Sequence, residues 1–261
     1  MKYGFIGCGN MGGAIARALS KNTKDILLSD RSGKGAVLAK ELGCKYADPA
    51  TVAAECEFIF LGVKPQGMEA VLSDLNGILK EKKPVLISMA AGLKLSRIEE
   101  MLGFPTPMIR IMPNTPVAVS CGMTPYCHNA LVTEAQMAEF LQDLSQAGSF
   151  DALPEELFDV ATALSGSGPA YLYLFAEALA DGAVACGLPR DKALMYAANT
   201  MAGAARMMQT SQKSPAELKQ DVCSPGGSTI RGVEALENQG IRKAAADCVA
   251  SAYQRNIELG K

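Results

Sequence analysis

The sequence has no tryptophan and a single histidine, His128, and the shortage of histidine restricts its chemistry. A dehydrogenase that oxidises an alcohol usually needs a histidine, paired with an acid, to move the hydroxyl proton. His128 follows a predicted strand, where we expect a turn or surface role. A C=N bond needs little acid assistance, because an imine is readily protonated near neutral pH. The shortage therefore favours hydride transfer to an imine over transfer to a carbonyl.

The eight cysteines include no Cys-x-x-Cys pair, and one histidine makes a Cys/His metal site hard to assemble. We therefore expect no metal, and we expect reduced thiols in a cytoplasmic protein. The net charge is only −2, and lysine and arginine form no stripe, which argues against nucleic-acid binding. No apolar run approaches about 18 residues, so we expect no membrane span. The first residues lead into a strand without a small-residue cleavage site, so we expect no secretory signal.

Short apolar runs alternate with helical segments over about the first 150 residues. Runs that are apolar throughout are typical of parallel strands buried on both faces. The predicted strands are 2–6, 25–29, 45–47, 58–63, 84–89, 108–112 and 122–127, and segments 66–80 and 96–102 are amphipathic helices. The pattern predicts a Rossmann-type doubly wound α/β sheet in a dinucleotide-binding domain over residues 1–152.

The strand signals stop after residue 151, and helical patterns continue over 171–186, 189–208 and 241–259. Ser214 and Glu217 have the spacing of a capping box at the start of another helix. We therefore predict an all-α domain over residues 153–261. The domain is rich in Ala, Gly and Met, and its many small residues let helices approach closely, either between two subunits or within one bundle.

The first predicted strand ends in a glycine turn, residues 7–12, that opens a helix. Gly7 permits the sharp turn, Gly9 lets the backbone approach a pyrophosphate, and Gly12 lets helix and strand pack closely. Asn10 and Met11 lie in the first helical turn, whose free N–H groups favour phosphate. Because the motif follows a strand and precedes further βαβ alternation, it predicts a dinucleotide cofactor.

The second strand ends in Ser29, Asp30, Arg31 and Ser32, which carry conflicting signals. Asp30 lies about 20 residues after the glycine turn, where an acid that binds the ribose hydroxyls suits NAD. Arg31 and the two serines could instead hold the 2′-phosphate of NADP. Two further interpretations stay open: Asp30 caps the following loop, and Arg31 is solvated.

Other polar and small residues follow later strands, where ligands bind in an open parallel sheet. Lys64 could contact a phosphate, or it could be a solvated lysine at a helix start. Asn114 lies between two prolines that stop a strand, so the segment either delivers polar groups or only reverses the chain. The predicted cofactor residues at these strand ends are Val63, Lys64, Pro65, Met89, Ala90, Ala91, Gly92 and Asn114.

Two glycine-rich segments, 164–171 and 223–230, fall in the helical half, where glycine costs stability. The second resembles an anion nest, with successive backbone N–H groups before a helix and two hydroxyls beside them. It could bind a carboxylate without an arginine, or it could be a helix–helix turn with Thr229 as N-cap. The candidate substrate residues here are Ser224, Gly226, Gly227, Ser228 and Thr229.

With these residues assembled, the sequence resembles the pyrroline-5-carboxylate reductase family essentially from end to end. The segment 223–230 is similar to the family's signature and is far more specific than the glycine turn. Further similar motifs are Phe5-Ile6-Gly7, Val63-Lys64-Pro65, Ala90-Ala91-Gly92, Met112-Pro113-Asn114-Thr115-Pro116, Leu164-Ser165-Gly166-Ser167-Gly168-Pro169-Ala170-Tyr171 and Asp221-Val222.

The resemblance implies reduction of (S)-1-pyrroline-5-carboxylate to L-proline, the last step of proline biosynthesis, with NADPH as cofactor and NADH possible. It implies that residues 226–229 hold the substrate carboxylate, that Thr229 is catalytic near the ring nitrogen, and that Glu155 lies near the substrate. It also implies that the helical domain forms an interlocked homodimer, with further assembly into a decamer. Asp30 departs from the NADP-using members and leaves the choice of cofactor open.

Two alternatives are a β-hydroxyacid-dehydrogenase-like oxidoreductase and a nucleotide-sensing, non-enzymatic relative. The first class uses a lysine soon after a Ser-Gly-Gly type loop, and none follows Ser167 and Gly168 within a helical turn or two. The second predicts decay in the 223–230 loop, and none is visible.

Overall fold

Strands and helices alternate along the first half of the chain in the computed structural model, which describes residues 1–259. The strands are β1 (Tyr3–Ile6), β2 (Ile26–Ser29), β3 (Lys45–Tyr46), β4 (Phe58–Leu61), β5 (Val85–Ser88), β6 (Met108–Ile111), β7 (Gly122–His128) and β8 (Gly148–Ala152). The helices between them are α1 (Asn10–Leu19), α2 (Lys34–Leu42), α3 (Pro49–Glu55), α4 (Pro65–Lys82), α5 (Leu95–Leu102) and α6 (Glu134–Asp143).

All eight strands form one sheet in the order β3-β2-β1-β4-β5-β6-β7-β8. Strands β1 to β6 are parallel to one another, and the strand order reverses between β1 and β4. The predicted Rossmann-type sheet is therefore confirmed. In such a sheet, ligands bind outside the carboxyl ends of the strands at the reversal point, which is where the glycine turn lies.

Both faces of the sheet are covered by apolar side chains, which explains why β1 and β4 are apolar throughout and why β2 is apolar up to Ser29. On one face, the ring of Phe5 stacks on that of Phe60, with 4.3 Å between centroids, and Phe140 of α6 packs beside them. On the other face, Leu61 of β4 belongs to a cluster with Met68 of α4. This burial holds the strand ends that carry the candidate site.

The last two strands differ from the prediction of a parallel sheet. Two prolines end β6, and a 3₁₀ turn over Thr115–Val119 reverses the chain, so β7 runs antiparallel to β6. The following strand β8 was not predicted at all. Its sequence, Gly-Ser-Phe-Asp-Ala, lies at the sheet edge and is mostly exposed, so it carries no apolar run to detect.

The helices of the second half are α7 (Phe158–Ala161), α8 (Gly168–Ala185), α9 (Arg190–Thr210), α10 (Pro215–Val222), α11 (Ser228–Asn238) and α12 (Ile241–Leu259). The capping box is confirmed, since Ser214 accepts a bond from the Glu217 amide and Glu217 accepts one from the Ser214 amide. No helix in the described part of the chain is long and apolar enough to span a membrane.

Residues Gly168–Ser251 form a compact unit of helices with little core of its own. Within it, only Ala180 and Ala193 are buried among the described residues, while large apolar side chains such as Tyr173 and Leu174 are about two-thirds exposed. The fold of this unit therefore leaves much apolar surface uncovered within one chain.

The other compact unit holds residues Met1–Ser167 and the end of α12 from Ala252. The segment 153–167 belongs to it because Phe158 and Ala163 are buried and Asn256 donates to the carbonyl of Asp159 (2.9 Å). The two compact units divide between Ser167 and Gly168, later in the chain than the predicted domain boundary at 152/153. The domain boundary itself stays a prediction.

Candidate active site

The glycine turn between β1 and α1 packs so tightly that side chains are excluded from two of its positions. Gly7 has φ +104°, and a Cβ there would lie 2.5 Å from the carbonyl oxygen of Gly62. A Cβ on Gly12 would lie 2.3 Å from the carbonyl oxygen of Gly7. These close approaches bring the start of α1 against the end of β4.

The space above Gly9 is open, in contrast to its neighbours. A Cβ on Gly9 would meet nothing within 4 Å. Gly9 is also the N-cap of α1, and it makes no side-chain cap. The first turn of α1 carries no acid, so its unpaired N–H groups and the positive end of the helix dipole favour an anion. The turn therefore fits a pyrophosphate that approaches over Gly9.

A cleft of about 580 Å³ lies over the ends of β1, β2 and β4. It brings together seven residues that the sequence predicted: Gly7, Gly9, Ser29, Asp30, Arg31, Val63 and Lys64. Residues that the sequence analysis missed also line it: Ile6, Tyr46, Ala47, Asp48, Pro49, Gly62, Gly67 and Val71. The position of Tyr46 at the end of β3 was the one available signal, because ligands bind at strand ends.

One oxygen of the Asp30 carboxylate accepts hydrogen bonds from its own loop. Its Oδ1 accepts from the amide of Ser32 (2.8 Å) and from the Ser32 hydroxyl (2.7 Å), with the Gly35 amide farther away at 3.5 Å. Burial alone would raise the pKa of Asp30, but these hydrogen bonds hold it below the usual range. The structure thus gives Asp30 the loop-capping role, while Arg31 beside it is exposed.

The other predicted cofactor residues lie around this cleft without lining it. Met89 is next to the glycine turn, because its methyl carbon is 3.9 Å from where a Cβ on Gly12 would stand. Ala90 is buried, and its amide donates to the Ser88 hydroxyl (3.3 Å). The remaining ones lie in the first turns of α1 and α4, in the Asp30 loop or in the turn after β5: Asn10, Met11, Gly12, Pro65, Ser32, Ala91 and Gly92.

The thiol of Cys8, inside the glycine turn, is held in the protonated form. Burial and the charge of Asp30 raise the pKa of Cys8 to about 12, and the thiol donates to the Ser29 carbonyl (3.6 Å). At neutral pH the thiol is therefore not a nucleophile.

Two predicted site residues, Asn114 and Glu155, make hydrogen bonds within the first unit. The Asn114 amide donates to the carbonyl of Ser165 (3.0 Å) and accepts from the amide of Met123 (2.9 Å). Glu155 accepts from the amide of Leu95 (2.8 Å) and from Arg110 (3.0 Å). Both side chains thus tie the 155–167 segment to the sheet, and their contact with ligand stays a prediction.

The loop before α11 has the form expected of an anion nest, with one difference. Gly226 adopts φ +71°, and a Cβ on Gly227 would lie 2.4 Å from the Ser224 hydroxyl, so both positions favour glycine. The amide of Gly227 already donates to the Ser224 carbonyl (3.0 Å). Gly227 rather than Thr229 is the N-cap, so Thr229 lies in the first turn of α11, where the N–H groups are free.

The hydroxyl-bearing residues of this loop are exposed, including Ser228 and Thr229. Substitution there removes no buried contact. The loop thus offers free backbone N–H groups and hydroxyls at one helix end, as a carboxylate site requires, and its contact with a ligand stays a prediction.

Comparison with known proteins extends over both units. Residues 155–259 match the family model described as pyrroline-5-carboxylate reductase dimerisation. Residues 2–92 match the model described as NADP oxidoreductase, coenzyme F420-dependent. The first match begins near the predicted domain boundary, and the second covers the glycine turn.

Full-length relatives carry the same family name. The chain is 40% identical over 268 residues to a pyrroline-5-carboxylate reductase of Synechocystis sp., covering 100% of this chain and 99% of the relative. It is 37% identical over 266 residues to that of Escherichia coli, covering 100% and 98%. A solved Plasmodium falciparum pyrroline carboxylate reductase with NADP bound matches with a TM-score of 0.90 at 30% identity, covering 100% and 98%. Because the similarity covers nearly the whole length of this chain and of each relative, this chain belongs to the pyrroline-5-carboxylate reductase family.

Proposed function

We propose that this chain reduces the C=N bond of (S)-1-pyrroline-5-carboxylate to L-proline, the last step of proline biosynthesis. The observation that carries the proposal is the identity of 37–40% with reductases of this name over their whole length. The single histidine is consistent with it, because a cyclic imine is readily protonated without a histidine acid. Family membership also sets aside the β-hydroxyacid dehydrogenase alternative.

The cofactor in this proposal is NADPH, with NADH as a second donor, and when bound it supplies the hydride. The N–H groups at the start of α1 hold its pyrophosphate over Gly9, where no protein atom would obstruct it. Arg31, which lines the cleft and is exposed, would bind the 2′-phosphate, while Asp30 beside it uses its Oδ1 to hold Ser32. The turn at 89–92 after β5 holds the nicotinamide end.

The substrate in this proposal binds at the loop before α11. Backbone N–H groups of Ser228 and Thr229 bind its carboxylate, supported by the positive end of the helix dipole. The Thr229 hydroxyl orients the ring nitrogen and helps to deliver the proton that balances the hydride added at C5. The resemblance implies that Glu155 lies near the substrate; because its Oε1 already accepts from Leu95 and Arg110, this proposal gives it no direct contact with the substrate.

We also propose that the chain works as a cytoplasmic homodimer, with further assembly into a decamer. The described cysteines are all free thiols, consistent with a reducing compartment. The helical unit has almost no buried residues of its own, so a second copy is the natural cover for its apolar side chains.

Purified protein tests the function directly. We expect NADPH to be oxidised when pyrroline-5-carboxylate is added, with proline as the product. The loss of the near-ultraviolet absorbance of NADPH measures this oxidation. The same assay with NADH measures the preference through kcat/KM. No oxidation of either cofactor above background would refute the proposal.

Arg31→Ala is expected to raise KM for NADPH about tenfold while KM for NADH changes less than about twofold, because a charge-assisted bond to phosphate is lost. The control is Lys40→Ala, which removes the same charge from the last turn of α2. An equal rise for both cofactors would show that Arg31 does not recognise the 2′-phosphate.

The homodimer is expected to dominate over the monomer at micromolar concentration. Light scattering after size exclusion should give at least twice the chain mass of 27.4 kDa. The isolated monomer would expose the apolar side chains of α8 and α9, which costs free energy in proportion to area. A stable species at the mass of one chain would contradict the proposal.

A further inference from the structure

Glu155 caps a helix that lies 60 residues earlier in the sequence. Its Oε1 accepts from the amide of Leu95, the first residue of α5, at 2.8 Å. Lys94, the N-cap of α5, offers no side-chain cap of its own. An anionic acceptor at this position satisfies an unpaired N–H group and complements the helix dipole. The start of α5 is therefore held by a residue from another segment.

The same oxygen of Glu155 pairs with Arg110 of β6 at 3.0 Å. The Arg110 side chain is only 4% exposed, and its guanidinium lies over the ring of Phe158, 4.6 Å from the ring centroid. A buried guanidinium with one carboxylate partner restricts that partner to a narrow range of positions. Arg110 thus holds the carboxylate that holds α5.

The segment between β5 and α5 is short and lies at the end of a parallel strand. It starts with the Ser88–Ala90 hydrogen bond and turns at Gly92, which has φ +73°. Its far end is the start of α5, so its path depends on where Leu95 is held. This is the segment that the proposed function assigns to the nicotinamide.

We propose that Glu155 is a positioning residue for the reduction, which acts by capping α5 and fixing residues 89–94 rather than by touching the substrate. Arg110 contributes by holding the Glu155 carboxylate in place through their ion pair. The inference rests on the proposed function, because residues 89–94 matter to turnover only if the nicotinamide lies there. A small displacement of a cofactor loop is enough to lower the rate of hydride transfer.

The test compares Glu155→Ala and Glu155→Gln with Glu156→Gln, which changes the exposed neighbouring acid. Glu155→Ala should lower kcat about tenfold, with Kd for NADPH and KM for the imine within about twofold. Hydrogen exchange at the Leu95 amide should become faster in the same variant. Glu155→Gln keeps an acceptor for that amide, so it should recover part of kcat and of the protection. Glu156→Gln should match the wild type.

Two results would overturn the proposal. A rise in KM for the imine with unchanged kcat would make Glu155 a direct substrate contact, and a lower melting temperature with unchanged kcat would make it structural only. If Glu155→Ala does not fold, the same measurements on Glu155→Gln decide the question: kcat, KM for the imine, Kd for NADPH and hydrogen exchange at the Leu95 amide. Failure of the proposed function is recognised separately, because the wild type itself would not turn over the imine.

Discussion

Replacing Gly9 with valine is expected to weaken NADPH binding about 100-fold or more while the chain stays folded. The backbone at Gly9 has φ −65°, outside the left-handed region that favours glycine, and a Cβ there would stand in open space. That open space is where the pyrophosphate approaches in the proposed function, so the side chain would block the ligand alone. A 100-fold loss corresponds to about 2.7 kcal/mol of binding free energy.

Two further glycines of α1 provide matched controls. A Cβ on Gly13 would make ordinary contacts at 3.6 Å, so Gly13→Ala should bind NADPH normally. Gly12→Val, whose Cβ would meet the Gly7 carbonyl, should instead lower the free energy of unfolding by about 1–3 kcal/mol. Fluorescence titration and thermal unfolding measure the two effects. Normal NADPH affinity in Gly9→Val would mean that the cofactor does not cross this turn.

Thr229→Ala is expected to lower kcat about 100-fold with little change in NADPH affinity. A positioned donor that acts in the transition state contributes about this much. Thr229 is exposed in the first turn of α11, so its truncation removes no buried packing and the melting temperature should hold. Steady-state kinetics with varied imine and a separate NADPH titration distinguish the two quantities.

The conservative variant Thr229→Ser keeps the hydroxyl and should retain most of kcat. Normal turnover by Thr229→Ala with normal NADPH binding would show that the catalytic assignment is wrong. Equal losses in both variants would indicate that the methyl group of Thr229, rather than its hydroxyl, is required.

The sheet was predictable wherever a strand is buried on both faces. Such a strand is apolar at nearly every position, so β1, β4 and β5 are visible as runs in the sequence, although β5 ends in the buried Ser88. The edge strand β8 carries no such constraint, because it is mostly exposed and pairs only with β7. Its parallel pairing with β7 depends on how the chain returns through α6, which no local pattern encodes.

The cofactor cleft was predictable only in part, because some of its residues are brought there by strand pairing rather than by a local motif. Its glycine turn has a spacing that a phosphate requires, so Gly7 and Gly9 could be named in advance. Tyr46 reaches the cleft because β3 pairs beside β2, and its hydroxyl donates to the Asp30 carbonyl (2.9 Å). A strand over 45–47 was predicted, but its pairing beside β2 was not, so the contact of Tyr46 with Asp30 appears only in the fold.

The sequence by itself determined the dinucleotide turn, the doubly wound sheet and the family, because each depends on residues close together or on motifs whose spacing is rigid. The tertiary structure decided which partners the polar side chains take. Asp30 turns to Ser32, Asn114 to Ser165, and Glu155 to Leu95 and Arg110. Hydrogen bonds form between whichever donors and acceptors the packed sheet brings within about 3 Å, and the bonds of Asn114 and Glu155 join residues that local spacing does not connect.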